Sequence, residues 1–199
     1  MTFVALLVGY LIGSVPTALW LGRLWGVDLR AGGTGNPGAN NARRLGGLRL
    51  ALLVLVVEMA KGIGAVAAGF AIGDDAAAVG AALGAIAGNV YNVWMGFRGG
   101  KGLGITSGVL VAAWPAMFPV ALLVLALAAA LTRSTGKGTL ITLVALVAGA
   151  LVWREIDRGG PWGVDVSSQP LLLAVGIGAL LFRKHWADAT RRIRSPAPH

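Results

Sequence analysis

Between Gly32 and Arg44 the chain reads Gly-Gly-Thr-Gly-Asn-Pro-Gly-Ala-Asn-Asn-Ala-Arg-Arg, and these residue types suit the capture of a phosphate. Glycines reach backbone conformations closed to other residues, so Gly33, Gly35 and Gly38 let successive main-chain N–H groups converge on one anion. Thr34, Asn36, Asn40 and Asn41 add neutral hydrogen-bonding groups, and Arg43 and Arg44 add charge. Residues 33–38 also satisfy the pattern G-x-G-x-x-G, but a dinucleotide fingerprint needs a preceding strand, and an apolar helical stretch precedes this one. That match is accidental. The plain alternative is a Gly-rich turn carrying arginines that keep a loop on the inner side of a membrane.

A second segment, Gly96-Phe97-Arg98-Gly99-Gly100-Lys101-Gly102, brackets a lysine with glycines. Such a lysine can approach a phosphate unhindered while neighbouring N–H groups share the anion. The spacing departs from that of a Walker A loop, so nucleotide hydrolysis gains no support. An ordinary inner-loop lysine is the alternative. Glu58 and Lys61 stand at i and i+3 inside an apolar stretch, on one helical face where opposite charges can pair; they serve either a functional interior or a structural ion pair. The tail runs from Arg183-Lys184-His185 through Asp188 to Arg191 and Arg192, and its alternative role is a basic anchor on anionic lipid. The absence of Cys excludes disulfides, a thiolate nucleophile and thiolate-held metals.

The elements that must carry these groups are helices in a membrane. In 199 residues, 56% are hydrophobic and 13% charged, with a mean hydropathy of +0.76, far too apolar for a soluble domain. Crossing a bilayer takes roughly 20 apolar helical residues. Apolar stretches run about 2–22, 50–73, 76–95, 103–131, 139–153 and 170–182, with an inner loop spanning 23–49. Leu103 to Leu131 is long and carries Pro115 and Pro119, so it suits two short helices joined by a tight turn as well as one kinked helix. Charge separates the two options. With a hairpin there, 14 of the 17 cations fall on the inner side, while the outer loops hold Asp74, Asp75, Glu155, Asp157 and Asp165 beside only Arg154 and Arg158. The fold expected is therefore an all-α integral membrane protein of about seven transmembrane helices, N-terminus outside and C-terminus cytoplasmic. It forms a single domain over residues 1–199, with a flexible tail from about 195. The net charge of +9 does not point to nucleic acid, because the cations cluster at membrane edges without interleaved aromatic platforms. Trp20, Trp25, Trp94, Trp153, Trp162 and Trp186 lie near the expected interfaces, as belt anchors do.

Taken together, the segments resemble the acyl-phosphate:glycerol-3-phosphate acyltransferases, the PlsY family of bacterial membrane enzymes. The resemblance runs from Gly13-Ser14 through Thr34-Gly35-Asn36-Pro37-Gly38-Ala39-Asn40-Asn41 to Arg44 and Gly46-Gly47, then Glu58-x-x-Lys61-Gly62. It continues through Gly96 to Gly102 and Arg183 to Arg192. It implies seven transmembrane helices and transfer of a fatty acyl group from acyl-phosphate to the 1-hydroxyl of glycerol 3-phosphate. The products are lysophosphatidic acid and phosphate, made at the cytoplasmic face of the bacterial plasma membrane without metal or other cofactor. The implied partners are the two substrates, membrane lipids and an enzyme that supplies acyl-phosphate. By the same resemblance Lys101, Thr34, Arg44 and His185 are the catalytic group. Gly33, Gly35, Asn36, Gly38, Asn41, Gly99, Gly100, Gly102 and Arg183 bind substrate phosphate, and Arg191 matches the third motif. Thr34 stands where the family has Ser, Asn40 where it has Thr, Asn89 where it has His and Asp188 where it has Asn; residues 133–139 match poorly. Two other functions stay open: a divergent member with another acceptor or a purely lipid-phosphate-binding role, and a transporter of a phosphorylated solute.

Overall fold

The computed structural model describes residues 1–156 and 169–190, and every regular element within them is helical. Arg158, Trp162, Asp157, Asp165, Arg191, Arg192, Arg194 and the tail from about 195 lie outside the described residues. The first apolar stretch, expected as one helix, is two: α1 (Thr2–Ser14) and α2 (Thr17–Leu24). Pro16 has no N–H to donate back along a continuous helix, so the ladder breaks there. The carbonyls at the break find side-chain donors instead. Asn92 Nδ2 donates to Ser14 O at 2.6 Å, and Lys61 Nζ donates to Val15 O at 2.9 Å.

The helix of the second apolar stretch, α3 (Ala39–Ile72), begins well before the expected Leu50. It bends at Gly47, whose φ of 80° and ψ of −175° suit only glycine. Asn40, Asn41, Arg43 and Arg44, expected in a loop, therefore stand on a short helical segment ahead of the bend. α4 (Asp75–Val90) starts at Asp74, whose carboxylate accepts from the Ala77 N–H at 3.1 Å and caps the helix. The long stretch after Gly102 divides into α5 (Leu103–Ala113) and α6 (Met117–Thr132), with Pro115 in the break. The two halves pack on different neighbours, α5 on α3 and α6 on α7 (Thr135–Ile156). α8 (Gln169–Ala189) outlasts its apolar run, which ends at Phe182, so Arg183 to Ala189 is helical as well.

By length and composition four segments can cross a membrane: Thr2–Leu24 taken through its break, Ala39–Ile72, Asp75–Met95 and Thr135–Glu155. Leu103–Ala113 and Met117–Thr132 are shorter apolar helices. α4 is the central one, with 72% of its apolar window buried inside the protein. Its Ala and Gly side chains permit this. Gly84 and Gly88 face the backbone of Leu6 and Tyr10, and Gly9 and Gly13 face that of Ala81 and Ala85, leaving no room for a Cβ on either helix. Around α4, buried Ile86, Val109, Trp114, Leu146 and Ile177 join α5, α7 and α8 in one core. Phe3, Leu11, Val56, Leu123, Leu131 and Val144 point outward, as helix faces in contact with lipid do.

Candidate active site

The Gly-rich segment is shaped from its base. Asp28 Oδ1 accepts from the N–H groups of Arg30 at 2.7 Å and Ala31 at 3.2 Å, which starts the turn. Those two hydrogen bonds, with Arg23 and Arg30 nearby, hold the exposed Asp28 carboxyl below the usual carboxylate range. Leu29, buried beside Ala18, Ala42, Leu50 and Val54, anchors the loop to α2 and α3. Asn41 then ties it from within. Its Nδ2 donates to Leu29 O at 2.9 Å and Gly32 O at 3.1 Å, and its Oδ1 accepts from the Thr34 N–H at 2.8 Å. Gly33 and Gly35 have φ of 60° and 69°, so the curl that Asn41 holds requires glycine at both.

The Lys101 segment is tied from α8. Gly99 and Gly100 follow the end of α4 and donate to Val90 O at 3.1 Å and Asn89 O at 2.9 Å. Lys184 Nζ, reaching in from α8, donates to the carbonyls of Val90 at 2.9 Å, Gly99 at 2.6 Å and Gly100 at 2.7 Å. Burial, reinforced by the charges of Lys101 and Arg183, brings the Lys184 ammonium down to about 8. One residue on, the fully buried His185 places Nε2 3.1 Å from Lys101 O. A carbonyl can only accept, so Nε2 carries the proton. Nδ1 is buried without a hydrogen-bond partner among the described residues, which suits the bare nitrogen of a neutral ring. Burial is the main cause that pushes the His185 pKa below its ordinary value, opposed by the Lys101 carbonyl. Gly102, at φ 82°, turns the chain into α5, and a Cβ there would crowd Val90 and Leu181.

Between these two segments and helices α3, α5 and α6 lies a cavity of about 380 Å³. Thr34, Asn36, Asn41, Gly100 and Lys101 line its polar part, while Leu55, Met59, Leu103, Phe118, Leu122 and Leu125 line an apolar part. One cavity thus joins a polar part that holds a lysine to an apolar part. Asn40, Gly38 and Gly102 also line it. Gly33 and Gly35 shape the loop, and Gly99 supports Lys101 from behind. Arg44 and Arg183 are exposed and do not reach the wall, and His185 stands behind Lys101 rather than in the cavity.

At the cavity's inner edge Glu58, only 6% exposed, has two donors on each oxygen. Thr17 Oγ1 at 2.8 Å and Lys61 Nζ at 3.1 Å meet Oε1; Lys61 Nζ at 3.1 Å and Asn89 Nδ2 at 2.6 Å meet Oε2. This is the compensation that a carboxylate at such burial demands, and it fastens α2, α3 and α4 together. Asn89 therefore works as a donor to Glu58. Sequence reasoning passed over Lys184 and the Phe118, Leu122, Leu125 wall. The signal for Lys184 was present: the inward stripe Leu173, Ile177, Leu181, continued at helical spacing, lands on Lys184, His185 and Asp188 and leaves Arg183 outside. The α6 wall had no comparable signal, because every residue of α6 near it is apolar.

Comparison with known proteins identifies a family and a fold. A family model described as glycerol-3-phosphate acyltransferase matches residues 3–195. A glycerol-3-phosphate acyltransferase of Synechococcus sp. (strain JA-3-3Ab) is 40% identical, covering 98% of this chain and 91% of its own. One of Brucella anthropi is 40% identical, covering 94% and 87%. In fold, the chain is similar to the crystal structure of PlsY, an integral membrane glycerol 3-phosphate acyltransferase, in its glycerol 3-phosphate form. The TM-score is 0.77 at 27% identity, covering 94% of this chain and 88% of that one. A lysophosphatidic acid form of PlsY superimposes with a TM-score of 0.75 at 25% identity, covering 92% and 87%.

Proposed function

The chain belongs to the glycerol-3-phosphate acyltransferase family, and from that premise we propose that it moves a fatty acyl group from acyl-phosphate to the 1-hydroxyl of glycerol 3-phosphate. The observation that carries the donor's identity is the single cavity with a lysine, amides and a hydroxyl at one part and leucine, methionine and phenylalanine at another. An acyl-phosphate is a phosphate joined through one carbonyl to a hydrocarbon chain, and the cavity has a polar and an apolar part to match.

In the reaction the glycerol oxygen adds to the acyl carbonyl carbon, the bond from that carbon to the phosphate oxygen breaks, and the hydroxyl proton passes to the departing phosphate. Lysophosphatidic acid and inorganic phosphate result, with atoms and charge in balance. The anhydride is already activated, so the protein's task is to hold two anions close together and to steady charge on the leaving phosphate. Lys101, Thr34 and Asn36 are assigned to holding phosphate, while Asn41 and the Gly99–Gly100 backbone, whose donors are engaged within the protein, shape the walls that carry them. His185 and Lys184 keep the Lys101 backbone in place. Arg44 and Arg183, both exposed, are assigned to drawing in the anionic substrates. No metal or other cofactor is needed for this chemistry.

The same reading sets the chain in the bacterial plasma membrane with seven crossings, the N-terminus outside, and the cavity opening to the cytoplasm. The α5–α6 division supports the hairpin on which that count depends. An enzyme supplying acyl-phosphate would be its functional partner. The test is direct. Purified protein given palmitoyl phosphate releases phosphate and forms lysophosphatidic acid only when glycerol 3-phosphate is present, and Lys101→Ala lowers that turnover at least hundredfold while remaining folded. Phosphate release without acyl transfer, or near-normal turnover of the variant, would overturn the reaction or the role of Lys101.

A further inference from the structure

Lys101 is the one cationic residue among the described residues lining the cavity, and its charge is already engaged. Its Nζ lies 2.6 Å from Asp188 Oδ2, with the two side chains 29% and 25% exposed. Asp188 is not part of the cavity wall; it reaches the cavity only through the lysine. Its own position is fixed by packing. Gly136, in the first turn of α7, leaves no room for a Cβ against the backbone of Asp188 and Ala189, so the end of α8 lies directly on α7. The same helix end supplies Lys184 and His185 to the carbonyls of residues 99–101. One helix end thus grips both the backbone and the ammonium of Lys101.

A second ammonium, that of Lys184, lies close enough to Lys101 to feel its charge. Without an anion beside it, Lys101 would stand among cations in a site only partly open to water. Asp188 supplies that anion. Partly exposed pairs contribute little net free energy, so a phosphate dianion can displace the carboxylate where it could not displace a fully buried one.

We propose that Asp188 is a positioning residue that holds the Lys101 ammonium in reserve and yields it to the incoming phosphate, so that the strength of this pair sets how tightly the site holds its phosphate-bearing substrates. The inference rests on the acyltransferase function for the identity of the substrate, and on the ion pair for the competition itself.

The experiment titrates orthophosphate into the full chain in detergent, by calorimetry, for wild type, Asp188→Asn, Asp188→Glu, Lys101→Gln and the double variant Lys101→Gln with Asp188→Asn. Asp188→Asn is expected to bind phosphate about five-fold more tightly, and Asp188→Glu to return toward the wild-type value. In the Lys101→Gln background the Asp188→Asn gain should disappear, because the carboxylate acts through the lysine. In turnover, the KM for palmitoyl phosphate falls in Asp188→Asn, and the change lies in KM rather than kcat. Equal or weaker phosphate binding by Asp188→Asn, or a gain that persists without Lys101, would overturn the proposal. Absence of acyl transfer in wild type would remove the acyltransferase function and leave the phosphate titration to decide the role of Asp188. If Asp188→Asn fails to fold, Asp188→Ser in the same titration takes its place.

Discussion

Lys184 illustrates how little a residue's type reveals about its task. Three basic residues stand close together near the end of α8, and positive charge near a membrane edge explains any of them. Only the helical face separates their roles: Arg183 points outward, whereas Lys184 turns in and donates to three carbonyls. An ammonium suits that arrangement because its three donors radiate from one atom, while a guanidinium presents a planar fork. Lys184→Met keeps much of the apolar stem and removes all three donors. Val90 O retains the Gly99 N–H, so the cost falls on the carbonyls of Gly99 and Gly100, at about 1–3 kcal/mol for each left unsatisfied. The expected outcome is a lower melting temperature, faster proteolysis between residues 96 and 102, and reduced turnover because Lys101 loses its support. Lys184→Arg should not restore activity. A Lys184→Met protein with wild-type melting and turnover would show that the triple contact is dispensable.

Among the elements, the end of α8 is where pH should act. His185 is buried beyond the apolar run of the helix, and its pKa lies below the ordinary value, chiefly through burial. The folded state therefore favours the neutral ring. Its contribution is fully present above the unfolded pKa of about 6.5 and is lost as pH falls from there toward the folded value, with a slope no steeper than about 1.4 kcal/mol per pH unit. Melting temperature followed from pH 8 to pH 5 should drop below about 6.5 in the wild type and drop less in His185→Gln, which removes the titrating ring. Identical profiles would mean that His185 does not control the acid limb. The elements themselves were legible to different degrees. The apolar stretches were visible as runs, and Pro115 marked the division of α5 from α6 because proline removes a ladder donor. The break at Pro16 was missed, since the hydropathy of residues 2–24 continues through it and the donors that compensate it, Asn92 and Lys61, come from distant sequence. The helical start of α3 was missed for a related reason: Asn and Arg near Gly read as loop, and only Gly47 at φ 80° separates that turn from the apolar helix.

For the whole molecule, the cavity is the place where two phases meet. Both polar segments of the cavity wall were evident from composition, because glycine beside lysine or asparagine is unusual in so apolar a chain. The hydrocarbon part was not, since leucines facing a ligand cannot be told from leucines facing lipid or core. In the structure Leu122 and Leu125 of α6 and Leu55 and Met59 of α3 line one cavity, with Phe118 at the same wall. Close contact between α3 and α5 holds that space to one side, as Gly62 and Gly108 press onto the facing backbones. If α6 is the wall against which the acyl chain lies, filling it with an indole must act on chain length and not on phosphate. Leu122→Trp should leave about two methylenes of a long chain unburied, at about 0.8 kcal/mol each. Its kcat/KM for palmitoyl phosphate should then fall more than tenfold relative to that for lauroyl phosphate, while orthophosphate binding stays at the wild-type level. Equal losses with both donors would place the chain elsewhere. A loss of orthophosphate affinity would mean that the two parts of the cavity are not independent, and that the wall of α6 also governs the position of Lys101.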